Sequence, residues 1–414
     1  MKTLITILTI LIFAFLFIAG VRQVFVGPIW SVRDEIAHFD FAEQLSRLNY
    51  PKPDSLISDR SANLCRTEFD WIKPYGYDGT TKSMGLAGWS YESHNPPIYY
   101  ASLASALAVM NRLGFSAQRQ VWGLRLLTFL FYFCGGLLLI PLFRELNTSW
   151  GIPKDLGIWL SFLVLSVNHI LVTTLGNDSL SFLLSSLMLL CGFRWLRINS
   201  LISFIVMLIS ASLLPVVKLT NSPLIIVPSL FVIMSWKARS FATSFRLLCI
   251  SSLSFLPVCL FFICNLVVFG NLLGSDNARK VFATFVNPIS PVYRFWRILI
   301  EDSCNLQSFG LRLHLWIIWG IVISVILGVA LSIISLWSRK RCPEAVLYLI
   351  CSGLSLFIIG GATFLNSRLP GVLWYSFRHY YGFLPFWGVT IIAFPFYLVQ
   401  VSKTLWMTRL NRKR

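Results

Sequence analysis

Two polar stretches carry residue types that could do chemistry. The first reads Trp30-Ser31-Val32-Arg33-Asp34-Glu35-Ile36-Ala37-His38-Phe39-Asp40 and follows directly on an apolar run. A carboxylate there is placed to take a proton from a hydroxyl that approaches along the lipid boundary, the work of a general base. If the stretch is helical, Asp34 and His38 share a face. Helix-start chemistry accounts for the same residues, with Ser31 or Asp34 as a cap and the acids favoured by the helix dipole. Both readings stand. The second stretch reads Tyr91-Glu92-Ser93-His94-Asn95-Pro96-Pro97-Ile98-Tyr99-Tyr100. Glu92 and His94 are candidate metal ligands or substrate contacts, and equally solvated loop residues. Pro96 and Pro97 suit the first turn of a helix, and the two tyrosines suit the level of lipid headgroups.

The elements that must position these residues are set by composition. Of 414 residues, 56% are hydrophobic and only 13% charged, and the mean hydropathy is +0.71. These values exclude a disordered or ordinary soluble chain. Backbone in lipid must satisfy its own hydrogen bonds, and barrel alternation is absent, so the expected class is all-α. Apolar runs at 4–21, 121–143, 156–173, 180–196, 201–217, 223–236, 247–269, 313–337, 345–365 and 383–401 predict a polytopic bundle of about ten spans. The first lacks a small-x-small cleavage site and reads as a retained anchor. The whole chain, 1–414, then forms one integral membrane domain. Its apolar part too short to span, the stretch 96–114 reads as an interfacial helix, with Tyr99, Leu103, Ala106 and Met110 on one face and Ser102, Ser105 and Arg112 on another.

The net charge of +18 comes from Lys and Arg scattered between apolar runs, which fits membrane orientation rather than nucleic acid. Counting those cations puts both termini, and the basic tail 402–414, in the cytoplasm. The long loop 29–120, the turn at Asn177-Asp178, Lys218 and the loop 270–312 then face outward. Of nine cysteines only Cys65 and Cys304 fall in outer loops, where pairing and two free thiols are equal readings. No CxxC, HExxH or Walker motif is present. Arg125 lies inside a predicted span with no partner legible in the sequence.

Together the two stretches resemble the GT-C superfamily of polyprenyl-phosphate-sugar-dependent glycosyltransferases, most closely its protein O-mannosyltransferase and lipid A aminoarabinose transferase branch. The shared pattern is an Asp-Glu pair and a nearby His after the first span, then an acid or His before Pro-Pro-aliphatic-Tyr in the same outer loop. The resemblance continues through Gly176-Asn177-Asp178-Ser179, Lys218-Leu219-Thr220 and Arg378-His379-Tyr380, and so covers nearly the whole chain. It implies transfer of a monosaccharide, with inversion, from a polyprenyl-phosphate carrier to a glycan, lipid or protein acceptor on the extracytoplasmic side of the cell membrane. Asp34 or Glu35 would be the base, with His38 orienting the pair. Asp178 would be a second acid near the acceptor or a metal, although Asn177-Asp178-Ser179 equally makes a helix cap. A divalent ion, if used, would be held by Glu92, His94 or Asp178.

Lys218 and Arg378 would meet the charge developing on the carrier phosphate, with snorkelling to headgroups as the plain alternative. His379 and Tyr380 would add hydrogen bonds there. The loop 270–312 offers Arg279, Lys280, Arg294 and Arg297 as well. Two departures stand out: Asn95 replaces the lysine of aminoarabinose transferases, and only a short tail follows residue 401. The competing reading is a transporter or lipid flippase without covalent chemistry, which places its polar groups near the bilayer midplane rather than on one side.

Overall fold

The computed structural model describes residues 2–27, 34–52, 55–67, 95–150, 152–167, 174–235, 239–270 and Pro385. These residues are helical, with no β-strand among them. Helix α1 (Lys2–Val26) is largely apolar and turns Ile7, Leu11, Phe15 and Ile18 outward while Phe13 and Val24 face inward. Its Gly20 lies against the ring of Phe129, and Phe17 meets Phe129 and Phe133, which seats α1 on the long helix α5 (Ala117–Trp150). Between them in sequence come α2 (Asp34–Ser46), α3 (Asp59–Thr67) and α4 (Ile98–Arg112).

Helix α5 is the hub. Gly135 brings it within van der Waals contact of the Leu183 backbone on α7 (Asp178–Ile198), and Gly136 packs under Leu165 of α6 (Leu156–Val167). Asn199, in the left-handed conformation that Asn tolerates, ends α7, and the Ser200 hydroxyl caps the start of α8 (Leu201–Val217). That two-residue turn makes α7 and α8 an antiparallel pair. Lys218 then adopts extended backbone, breaking the helix, and the chain goes on as a 3-10 helix (Leu219–Ile226) and α9 (Val227–Ser235). Helices α10 (Phe241–Ser252) and α11 (Leu256–Phe269) are joined by the 3-10 turn Leu253–Phe255 and end at Gly270 with positive φ.

Among the described residues four helices are long and apolar enough to cross a bilayer: Thr6–Val26, Ala117–Thr148, Asp178–Ile198 and Phe241–Phe269. The expectation of about ten spans is met only to that extent. The run at 201–217 forms a 17-residue helix, and the run at 223–236 is divided between the 3-10 helix and the nine residues of α9. Neither matches the ~20 residues of a straight span, because a lysine and a stretch of poorer hydrogen bonding interrupt one apolar sequence. The run at 156–173 is helical as far as Val167. The runs at 313–337, 345–365 and 383–401 lie outside the described residues, Pro385 excepted, as do the loop 270–312 beyond Gly270 and the tail 402–414.

Helix α4 occupies the stretch read as interfacial. Its 15 residues reach ~22 Å, short of the ~30 Å hydrocarbon layer. Tyr99, Tyr100, Leu103, Leu107 and Met110 are buried while Ser105 and Arg112 are exposed, so the amphipathic face is real. The tyrosines, however, are fully enclosed in protein rather than standing at a headgroup surface, because both hydroxyls find partners inside. The prolines precede the helix instead of forming its first turn: Pro97 is the N-cap, and its carbonyl accepts from Ala101.

Candidate active site

Helix α2 is polar in sequence yet buried along most of its length, and its buried acids and histidine each face a particular hydrogen-bond or ion-pair partner. Asp40 accepts from the Ser58 amide at 3.0 Å and from Gln44 at 2.9 Å. Glu43 pairs with Arg47 at 2.8 Å and with Arg60 at 3.3 Å. Burial holds the Glu43 carboxyl above the usual carboxylate range even so, with Arg47 opposing the shift. His38 shares a 2.8 Å hydrogen bond with the Tyr100 hydroxyl, stacks on that ring and meets Tyr99 edge-on. Phe41 stacks on the far side of this cluster, 4.0 Å from Tyr100, and fixes the pitch of α2 against α4.

Glu35 makes the strongest contact. Its two carboxylate oxygens accept from Arg125 Nε at 2.6 Å and Nη2 at 2.7 Å, and Arg125 Nη1 donates to the Gly27 carbonyl at 2.9 Å. The Leu175 amide adds a third bond to Glu35 at 3.3 Å. Both side chains are closed off from solvent. Arg125, unexplained by sequence, is therefore the buried counter-ion of an acid ninety residues earlier. The arrangement ties the end of α1, the start of α2, the N-terminal third of α5 and the segment 174–178 to one point. Asp34 is the first residue of α2, so that point also fixes where its backbone stands.

The segment before α7 is held from the other side. The Gly176 amide donates to the Tyr99 hydroxyl at 2.9 Å, and that hydroxyl also bonds Thr128 at 2.9 Å. Burial is the main cause that pushes the Tyr99 hydroxyl far above its ordinary range, the two hydrogen bonds oppose it, and the charges of Glu35 and Asp178 add to it.

Asp178 and Lys218 are brought together: the ammonium donates to Asp178 Oδ1 at 2.6 Å. Asn177 stands at the N-cap of α7 but does not cap it, and its side-chain amide donates across to the Val217 carbonyl at 3.4 Å. Asn221 adds a second cross-link, donating to Ser181 at 2.8 Å. The helix-cap reading of Asn177-Asp178-Ser179 thus gives way to a bridge between α7 and the broken end of α8. A divalent ion at Asp178 would have to displace Lys218, and among the described residues no group of three His, Cys, Asp or Glu side chains gathers elsewhere to hold one.

Of the residues singled out in sequence, Glu35, Asp178 and Lys218 fall at one segment, 174–178, with the backbone of Asp34 next to Glu35, while His38 stands one residue removed, against Tyr99 and Tyr100. Glu92, His94, Arg378, His379, Tyr380 and Cys304 lie outside the described residues, and of Cys65 only the backbone is described. Sequence reasoning missed Arg125 as a counter-ion, Tyr99 and Thr128 as internal partners, and the bracing by Asn221. An arginine within an apolar run was the one legible signal, since such a charge demands a partner.

These features define a helical membrane protein with an ionic site enclosed at one end of its helices. Comparison of the chain with family models, curated proteins and solved structures finds no match.

Proposed function

We propose that this chain is a membrane glycosyltransferase. It moves a monosaccharide from a polyprenyl-phosphate carrier to a glycan, lipid or protein acceptor on the extracytoplasmic face, with both termini in the cytoplasm. One observation carries the reading: the acid-rich start of α2 and the Asp178–Lys218 pair meet at the same five-residue segment, through Glu35 to Leu175 at 3.3 Å, Tyr99 to Gly176 at 2.9 Å and Lys218 to Asp178 at 2.6 Å. A base and a phosphate-seeking cation at one place are what displacement at an anomeric carbon needs.

Between the two acids, the geometry favours Asp34 as base. Glu35 has both oxygens committed to Arg125, and an ion pair so enclosed leaves that carboxylate a poor proton acceptor for an incoming substrate. In the reaction, Asp34 takes the proton as the acceptor oxygen attacks the anomeric carbon from the face opposite the carrier. The bond to the carrier oxygen breaks, and its electron pair leaves with the phosphate, whose charge Lys218 meets. Arg378, His379 and Tyr380 are assigned to the same phosphate, and Glu92 and His94 to substrate contact, by family resemblance alone. A bound divalent ion would add charge neutralisation at the phosphate.

The break at Lys218 favours one rival. Discontinuous helices mark transporters, whose unwound segments line substrate sites. Incubating the purified protein with a panel of polyprenyl-phosphate sugars, then analysing acceptors and carrier by mass spectrometry, separates the two. A glycosylated acceptor with released carrier supports the transferase. Carrier or sugar moved across vesicles with every bond intact supports the transporter and rejects the transferase.

A further inference from the structure

Two ion pairs flank the segment 174–178, and they are closed to different degrees. Glu35–Arg125 is sealed: side-chain exposures are 0% and 1%, both carboxylate oxygens are bonded, and the guanidinium holds a backbone carbonyl besides. Asp178–Lys218 is a single contact through one carboxylate oxygen, with 18% and 9% of the side chains exposed. Among the described residues Asp178 makes no other side-chain hydrogen bond and Lys218 no other ion pair. An ammonium carries three donors, so two remain to be shared with an incoming anion. Asp178 has a second stabiliser in place, since it sits in the first turn of α7, where the helix dipole favours negative charge. The backbone needs no rearrangement for the pair to part, because Asn177 to Val217 and Asn221 to Ser181 hold the α7–α8 junction without it.

We propose that the Asp178–Lys218 contact is a displaceable latch: a lipid-borne phosphate takes the Lys218 ammonium, and Asp178 stays behind at the start of α7 as a freed carboxylate. The inference rests on the reading that this site receives a phosphate-linked carrier. It adds that the empty site is self-neutralised and that the carrier must compete with Asp178 for entry. The exchange swaps one charge-assisted bond for another, so its cost is small beside that of opening the sealed pair.

The full chain in detergent, titrated with polyprenyl phosphate or the uncharged polyprenol and read by native mass spectrometry, tests this. The wild type should prefer the phosphate over the alcohol, Asp178→Asn should bind the phosphate about tenfold more tightly, and Lys218→Met should lose the preference. In the wild type, carbodiimide modification of Asp178 should rise when polyprenyl phosphate is added and stay unchanged with inorganic phosphate, a readout that needs no variant to fold. Unchanged or weaker binding by Asp178→Asn, or falling modification of Asp178, overturns the latch. A rise with inorganic phosphate alone overturns the lipid as occupant. If the wild type binds phosphate and alcohol alike, the carrier reading falls with the latch; if it prefers the phosphate and Asp178→Asn binds no tighter, the latch alone falls.

Discussion

Replacing Arg125 with methionine should cost this protein more stability than any other single change near the site. The substitution removes two hydrogen bonds to Glu35 and one to Gly27, and leaves the enclosed carboxylate without its counter-ion, the Leu175 amide still bonded to it. Breaking one side of a buried ion pair costs about 3–5 kcal/mol, most of it the penalty of the stranded charge. For a chain of this size that is on the order of a 5 °C fall in the apparent midpoint of thermal unfolding in detergent. Removing both charges is a different perturbation. The double variant Glu35→Leu with Arg125→Met strands nothing and should recover most of the loss, although the tie to Gly27 stays broken. A double variant no more stable than Arg125→Met, or a single variant within a degree or two of wild type, would refute the claim that a sealed pair anchors α2.

Other outcomes follow from the same geometry. Asp34→Asn should abolish sugar transfer with membrane insertion and thermal midpoint near wild type, checked by carrier release and fluorescence-detected size exclusion; loss of folding instead would make Asp34 a structural cap. Glu43 binds its proton more readily folded than unfolded, because burial raises its carboxyl above the usual range. Stability should therefore decline as pH rises through that raised value, and Glu43→Gln should flatten the decline, as midpoints across a pH series will show. Single cysteines introduced at Ser116 and Lys154, both exposed and flanking α5, should label from opposite sides, Ser116 from outside; the reverse pattern would invert the proposed orientation.

Much of the site's chemistry was legible in the sequence because charge in an apolar chain is conspicuous. Asp34, Glu35, Asp178 and Lys218 stood out for that reason, and three of their side chains indeed ring one segment. Their division of labour was not legible. Adjacent acids look interchangeable in a string of letters, and only the long-range contact to Arg125 shows that Glu35 is bound on both oxygens. The sequence left Asn177-Asp178 open between a cap and a site acid because a local hydrogen bond is the default for such residues, whereas here the α8 terminus offers a carbonyl and an ammonium across the junction. Tyr99 and Tyr100 were assigned to a lipid interface on the amphipathic character of tyrosine. Inside the fold, Thr128, Gly176 and His38 satisfy their hydroxyls instead. Hydropathy placed the end of the run at residue 217 but not the 3-10 helix that follows Lys218, since a run's mean value is blind to hydrogen-bond pattern.

The most direct test of the transferase reading is a side-by-side time course of polyprenyl phosphate release from a polyprenyl-phosphate sugar by wild type, Asp34→Asn and Lys218→Met. Steady release by the wild type, none by Asp34→Asn and a deep reduction in Lys218→Met is the expected result. Release by Asp34→Asn at the wild-type rate would contradict the assignment of the base and, with it, the mechanism built around the segment 174–178.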